Sequence, residues 1–166
     1  MLPAVITMVA VLFLSGCSTS LRTGKPIHEE QVRAIAPGAT TKDELFERFG
    51  PPAAIAARGE IPAIPTPSTS YEPVRGSSSY NIDANTFFEL FPAARGSDDS
   101  DDYRRIYYYR HVVERRVTYF LLLGLYTSGG TATDRLWILM DEKTGTVEDY
   151  ACKKSGEGVF FGIPRN

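Results

Sequence analysis

Two cysteines and two histidines are the residues of this chain best suited to nucleophilic or metal chemistry. Cys17 follows Leu14-Ser15-Gly16 at the end of an apolar stretch. Cys152 precedes Lys153 and Lys154, whose charge would favour a thiolate, but a buried or inert cysteine is the favoured reading. His28 and His111 lie far apart and lack metal-ligand spacing, and no HExxH, nucleophile elbow, phosphate loop or dinucleotide fingerprint occurs. Catalysis by Cys152 would require a histidine within hydrogen-bond reach. Asp98-Asp99-Ser100-Asp101-Asp102 gathers carboxylates, but it lacks the glycine and terminal glutamate of a calcium loop and reads as a solvated acidic run. Asp141 and Glu142 read as polar turn residues rather than an acid–base pair. The expectation is no catalytic residue, no metal, no cofactor and no small-molecule substrate.

A basic-aromatic constellation is the more informative feature. Arg104, Arg105, Arg110, Arg115 and Arg116 stand against one acid, Glu114, with Tyr103, Tyr107, Tyr108, Tyr109 and Tyr119 interleaved. Such surfaces bind protein hot spots, anionic lipid or nucleic acid. The whole chain carries 18 Lys+Arg against 20 Asp+Glu, a net charge of −2, which argues against gripping nucleic-acid phosphates. Arg104, Arg105, Tyr107, Tyr109 and Arg110 are therefore the candidate partner-binding residues. The competing explanation is a strand with one face buried and one solvated, its arginines neutralised by the acidic run.

The elements that position these residues begin with an address. Ala4 to Leu14 is almost unbroken apolar sequence, and no Lys, Arg, Asp or Glu precedes Arg22. At about 1.5 Å per residue this stretch spans roughly half a bilayer core, the length of a signal-peptide core rather than a transmembrane helix. Leu14-Ser15-Gly16-Cys17 resembles the lipobox of bacterial lipoproteins. The resemblance implies a diacylglycerol on the Cys17 thiol, cleavage between Gly16 and Cys17, and acylation of the new amino group by a fatty acid such as palmitate. Ser18 resembles the outer-membrane sorting default. Residues 1–16 are thus expected to be a lipoprotein signal peptide and 17–26 a lipidated tether.

From Ile27 the pattern is globular. Ile27, Val32 and Ile35 among polar neighbours predict a short amphipathic helix ended by Pro37-Gly38. Thr41 and Glu44 fit a capping box, Leu45, Phe46 and Phe49 supply the apolar side, and Gly50 with Pro51-Pro52 ends the second helix. Residues 53–102 are rich in Pro and Ser and read as a long irregular insertion, with Asn85–Leu90 forming one local helical turn. Strands are predicted over Tyr103–Val113, Arg116–Tyr126, Arg135–Asp141 and Thr146–Tyr150, with Thr127–Thr133 as a loop and Glu142–Gly145 as a hairpin turn. Val117–Leu125 is too short to span a membrane and reads as a central strand buried by the helices. The expected fold is α+β, with two short helices packed on a three- to four-stranded antiparallel sheet.

The stretch from Pro37 to Pro52 (PGATTKDELFERFGPP), followed by the Tyr107–Tyr109 strand and the Trp137-to-Tyr150 hairpin, resembles the SmpA/OmlA (BamE-like) lipoprotein family. The resemblance covers residues 27–52 and 103–151. It implies a BamE-like domain over 27–151, interrupted by the insertion at 53–102 and followed by a C-terminal extension at 152–166. It further implies a non-catalytic binding or scaffold accessory to outer-membrane protein assembly or envelope integrity, held on the periplasmic face of the outer membrane by lipid on Cys17. Its partners would be membrane lipid and the outer-membrane β-barrel assembly components. The shared motif is a folding motif and transfers no partner-binding residue. An inhibitor or sensor domain of similar outline, binding an envelope enzyme, is the alternative.

Overall fold

A computed structural model describes residues 16–62, 84–96, 102–121, 124–154 and 160–161. Its described residues form two compact units. The larger is drawn from Gly24–His111 and Asp134–Asn166, the smaller from Met1–Thr23 and Val112–Thr133. The fold is α+β, an antiparallel sheet with a few short helices.

In the larger unit, α1 (Glu29–Arg33) and α2 (Lys42–Phe49) follow one another closely. The capping box forms as expected: the Glu44 amide donates to Thr41 Oγ1 at 3.4 Å, and the Thr41 amide donates to Glu44 Oε2 at 3.0 Å. Asp43 and Glu44 sit in the first turn, where the helix dipole favours them. Gly50 terminates α2 with φ of 77°, a conformation that disfavours side-chain-bearing residues. Thr41→Ala should cost about 1 kcal/mol, read as a lowered urea midpoint with an unchanged slope.

The segment between the helices docks on a hairpin. β4 (Gly124–Asp141) and β5 (Thr146–Lys153) pair antiparallel across the Glu142–Gly145 turn. The Gly38 amide donates to the Val147 carbonyl at 2.7 Å, and the Val147 amide donates to the Thr40 carbonyl at 2.9 Å. This pairing aims α1 and α2 across one sheet face. Ile27, Val32, Ile35, Leu45 and Phe49 there bury Tyr107, Tyr109, Leu136, Ile138, Met140, Val147, Tyr150 and Cys152. A register shift at Leu139/Met140 sets Met140 opposite Val147 and Leu139 opposite Asp149. The irregularity is what lets Val147 and Tyr150, three residues apart, share a face.

The opposite face is also covered, and by the insertion. β2 (Ala54–Ala57) pairs with β3 (Arg104–Leu121), Ala54 opposite Tyr108. Farther along, α3 (Ala84–Leu90) and a 3₁₀ turn (Pro92–Ala94) bring Phe87, Phe91 and Ala94 onto Ile106, Tyr108, Trp137, Leu139 and Ala151. Two described stretches of the insertion are tied together: the Gly59 amide donates to the Ala94 carbonyl at 2.8 Å, and Arg58 Nε donates to the Ala93 carbonyl at 3.1 Å. The insertion is therefore not wholly irregular. Its residues 63–83 and 97–101 lie outside the described residues.

The strands themselves differ from expectation. The sheet is wider than three or four strands, since β2 and a two-residue β6 (Phe160–Phe161), paired with β5, join it. β3 runs unbroken through Glu114-Arg115, which contains no Gly, Pro or Asn to turn the chain. β4 includes Thr127–Thr133, read as a loop for its glycines. Gly129 serves close approach instead: a Cβ there would lie 2.6 Å from the Arg115 carbonyl oxygen. β5 continues to Lys153, so Cys152 belongs to the core and not to a terminal extension.

The smaller unit comprises β1 (Gly16–Thr23) on β3, with β4 on the other side of β3. Residues expected to form a free tether are thus strand as far as Thr23, Cys17 opposite Thr118 and Thr23 opposite Val112. Val117, expected in a central strand buried by the helices, lies on β3 between β1 and β4 and is half-exposed; the side chains of residues 119–125 lie outside the described residues. Residues 1–15, most of the expected signal peptide, lie outside the described residues.

Candidate functional site

Cys17 is exposed on β1, and residues 18–23 that follow it are exposed as well. A thiol so placed is open to an acyl-transferring enzyme. Cys152 is the opposite case. It is buried in the helix-covered core, and burial pushes its thiol up to about 11, outweighing the nearby Lys154 charge. Cys152 is thus the buried cysteine of the favoured reading, desolvation being a larger influence than the neighbouring lysine charge.

The candidate partner-binding residues do not form one surface. Tyr107 and Tyr109 are 1% and 3% exposed and belong to the core, so neither is open to a partner. Tyr109 packs its ring 5.6 Å from Phe49, and burial raises its hydroxyl above the ordinary value. Tyr108 faces the other way, 5.9 Å from Trp137. The alternation was legible, but both faces are covered, so the reading of one buried and one solvated face fails here. Arg104 pairs with Glu148 at 2.5 Å and with Asp102 at 3.5 Å. Arg105 Nη1 donates to the Arg104 carbonyl at 2.9 Å. Arg110 is half-buried. Asp102, the one described residue of the acidic run, also pairs with Arg58 at 3.3 Å, so it does neutralise arginine as expected.

Tyr107 has a role that its sequence position hid. Its hydroxyl bonds Glu142 in the β4–β5 turn, and Lys42 Nζ reaches Glu142 Oε2 at 2.9 Å while lying 5.3 Å from the Tyr107 ring centroid. The cluster joins α2, β3 and the turn. Burial acts to raise the Glu142 carboxyl, but hydrogen bonds from Tyr107 and Lys42 outweigh it and hold the group below its ordinary 4.5. The stability Glu142 contributes is therefore fully present above that ordinary value and lost as pH falls through the lowered one. Asp102 and Asp141 are also held low and act in the same direction. Glu142→Gln should cost about 1 kcal/mol at neutral pH and flatten the acid loss, read by urea unfolding at neutral and at about pH 3.5.

The histidines do not meet as a site. His28 is exposed at the start of α1 and makes no side-chain cap, whereas His111 is buried with Nδ1 3.6 Å from Asp134. No group of three or more His, Cys, Asp or Glu residues among the described residues is arranged to hold a metal. No family model, curated protein or solved structure matches this chain. Cys17, the expected lipidation position, is exposed on β1.

Proposed function

We propose that the chain is a non-catalytic envelope lipoprotein of SmpA/OmlA (BamE-like) type, attached to the outer membrane by lipid on Cys17. Its role is that of a binding or scaffold accessory to outer-membrane protein assembly or envelope integrity. The observation that carries this reading is the pairing of the Leu14-Ser15-Gly16-Cys17 motif with an exposed Cys17 thiol. The α1–α2 segment from Pro37 to Pro52, docked on the β4–β5 hairpin, supports the family likeness. The second layer over the sheet, from α3 and the 3₁₀ turn, is this chain's departure from it. Docking would use surfaces other than Tyr107 and Tyr109, since those are buried.

The test is a pull-down from gently cross-linked membranes with a C-terminal tag. Recovery of β-barrel assembly components with the wild type, and not with Cys17→Ala, supports the accessory role. Recovery of a soluble envelope enzyme instead would move the reading to an inhibitor or sensor. Recovery of nothing above the control would remove the assembly role and leave the anchor to be judged by its own experiment.

A further inference from the structure

We infer that Arg110, Arg135 and Lys153, set in one row across β3, β4 and β5, form with the Tyr108 hydroxyl a binding site for a small phosphoryl oxyanion. The inference stands apart from the lipid anchor proposed above.

Register and alternation place the row. β3, β4 and β5 are neighbours in the sheet. Tyr108, Trp137 and Ala151 belong to the face covered by α3. The Tyr108 and Trp137 rings are 5.9 Å apart, and Trp137 lies opposite Ala151, so the three stand side by side. Side chains two residues apart on a strand share a face. One such step along each strand, toward the same end of the sheet, leads from these residues to Arg110, Arg135 and Lys153. Arg135 lies directly opposite Lys153. With neighbouring strands about 4.8 Å apart, the three cationic side chains leave the backbone within roughly 10 Å of one another.

Such a row is costly. Like charges directly opposite one another destabilise a sheet, and a charge taken out of water costs more than an exposed one. Long cationic side chains ordinarily escape by carrying their heads to solvent. Arg110 and Lys153 are half-buried, but Arg135 between them is 9% exposed, so the middle charge stays inside. The ion pairs of the described residues include none for Arg110. Tyr108 adds a donor at the same place. Its hydroxyl is buried, and the O–H proton meets no acceptor among the described residues, since the nearby Arg135 and Arg110 only donate. Burial raises this hydroxyl above its ordinary value, and the Arg135 and Arg110 charges act against that rise. An oxyanion among these groups accepts from the Tyr108 hydroxyl and from Arg110, and it relieves the repulsion along the row. A carboxylate brings one negative charge to three positive ones. A phosphoryl group carries about −1.5 to −2 at neutral pH and presents three oxygens, which suit two guanidinium forks and an ammonium together. The recessed Arg135 selects size as well. A bilayer surface meets what is exposed, as Arg22, Arg115 and Arg116 are, whereas inorganic phosphate or a small phosphate monoester is narrow enough to approach a side chain nine-tenths covered.

Trp137 is the single tryptophan of the chain and lies two residues from Arg135 and beside Tyr108, so its fluorescence reports on the site. The experiment titrates inorganic phosphate into the full chain in detergent, with ionic strength held constant by sodium chloride, and follows Trp137 emission and Tm. The expected result is a saturable change in emission with a rise in Tm. Arg110→Gln should raise the half-saturating concentration about tenfold, as expected for the loss of a charge-assisted hydrogen bond. Lys153→Gln should act in the same direction, and it decides the matter if circular dichroism shows Arg110→Gln unfolded. Arg33→Gln, on α1 over the opposite face, should bind phosphate as the wild type does. No saturable response, or a response weakened equally by Arg33→Gln, overturns the site. So does a response that sodium chloride alone reproduces. A second arm adds phosphatidylglycerol to the micelles. A lipid response displaced by inorganic phosphate keeps the site and makes a headgroup its source of phosphate, whereas a lipid response without any to inorganic phosphate overturns it in favour of a membrane surface.

Discussion

Phe87→Ala is expected to destabilise the protein by about 3–5 kcal/mol, although the residue lies in the Pro- and Ser-rich insertion. Phe87 is 1% exposed. Its ring meets Trp137 edge-on at 5.8 Å and Phe91 at 6.1 Å, and Trp137 in turn lies 5.9 Å from Tyr108. Removing the ring opens a cavity between α3 and the sheet, and it exposes apolar atoms of two strands whose other face is already covered by α1 and α2. Trp137→Ala should cost a similar amount. The double variant should cost less than the sum, because both substitutions remove the same contact. Phe46→Ala is the contrast: Phe46 is 38% exposed and stacks on Tyr107 at 6.2 Å, so about 1 kcal/mol is expected. Urea unfolding of the four proteins checks this. A cost below about 1 kcal/mol for Phe87→Ala would mean that α3 does not cover the second face.

Cys17→Ala is expected to have the largest effect on location and almost none on folding. Each acyl chain contributes about 0.8 kcal/mol per buried methylene, so several chains hold a protein on a bilayer effectively for good. Without the thiol no diacylglycerol is attached, and alkali-resistant sedimentation with membranes should be lost. Because Cys17 and the rest of β1 as far as Thr23 are exposed, unfolding stability should change by no more than about 0.5 kcal/mol. Metabolic labelling with palmitate, alkaline extraction and urea unfolding separate the two effects. Palmitate incorporated equally by the variant would remove the lipoprotein reading. Stability falling by several kcal/mol would show that β1 is a structural strand rather than an attachment point.

Sequence alone determined the features set by a few adjacent residues. The Thr41/Glu44 capping box, the Gly50 stop and the Glu142–Gly145 turn each depend on hydrogen bonds or a positive φ within a span of a few residues. Short-range periodicity was equally legible: Leu45 with Phe49, and Tyr107 alternating with Tyr108, share or change faces as their spacing requires. The motif ending at Cys17 is local too, and on the proposed lipoprotein reading an acylating enzyme would meet it as extended backbone.

Tertiary structure decided what each face meets. Alternation separates Tyr107 from Tyr108, but it cannot tell whether water or an apolar layer lies beyond either one. Here α2 covers the first through contacts some sixty residues away in sequence, and the ends of the insertion cover the second. That is why the arginine–tyrosine strand resembled a binding surface, although its Tyr107, Tyr108 and Tyr109 are core residues and its Arg104 is paired with Glu148 and Asp102. Strand length was hidden for a related reason. The glycines at Thr127–Thr133 looked like a loop, because a preference for turning and a need for close backbone approach select the same residue. Only the neighbouring β3 carbonyl at Arg115 distinguishes them. The placement of Cys17 opposite Thr118 is likewise a property of register, and register is set by pairing between segments about a hundred residues apart.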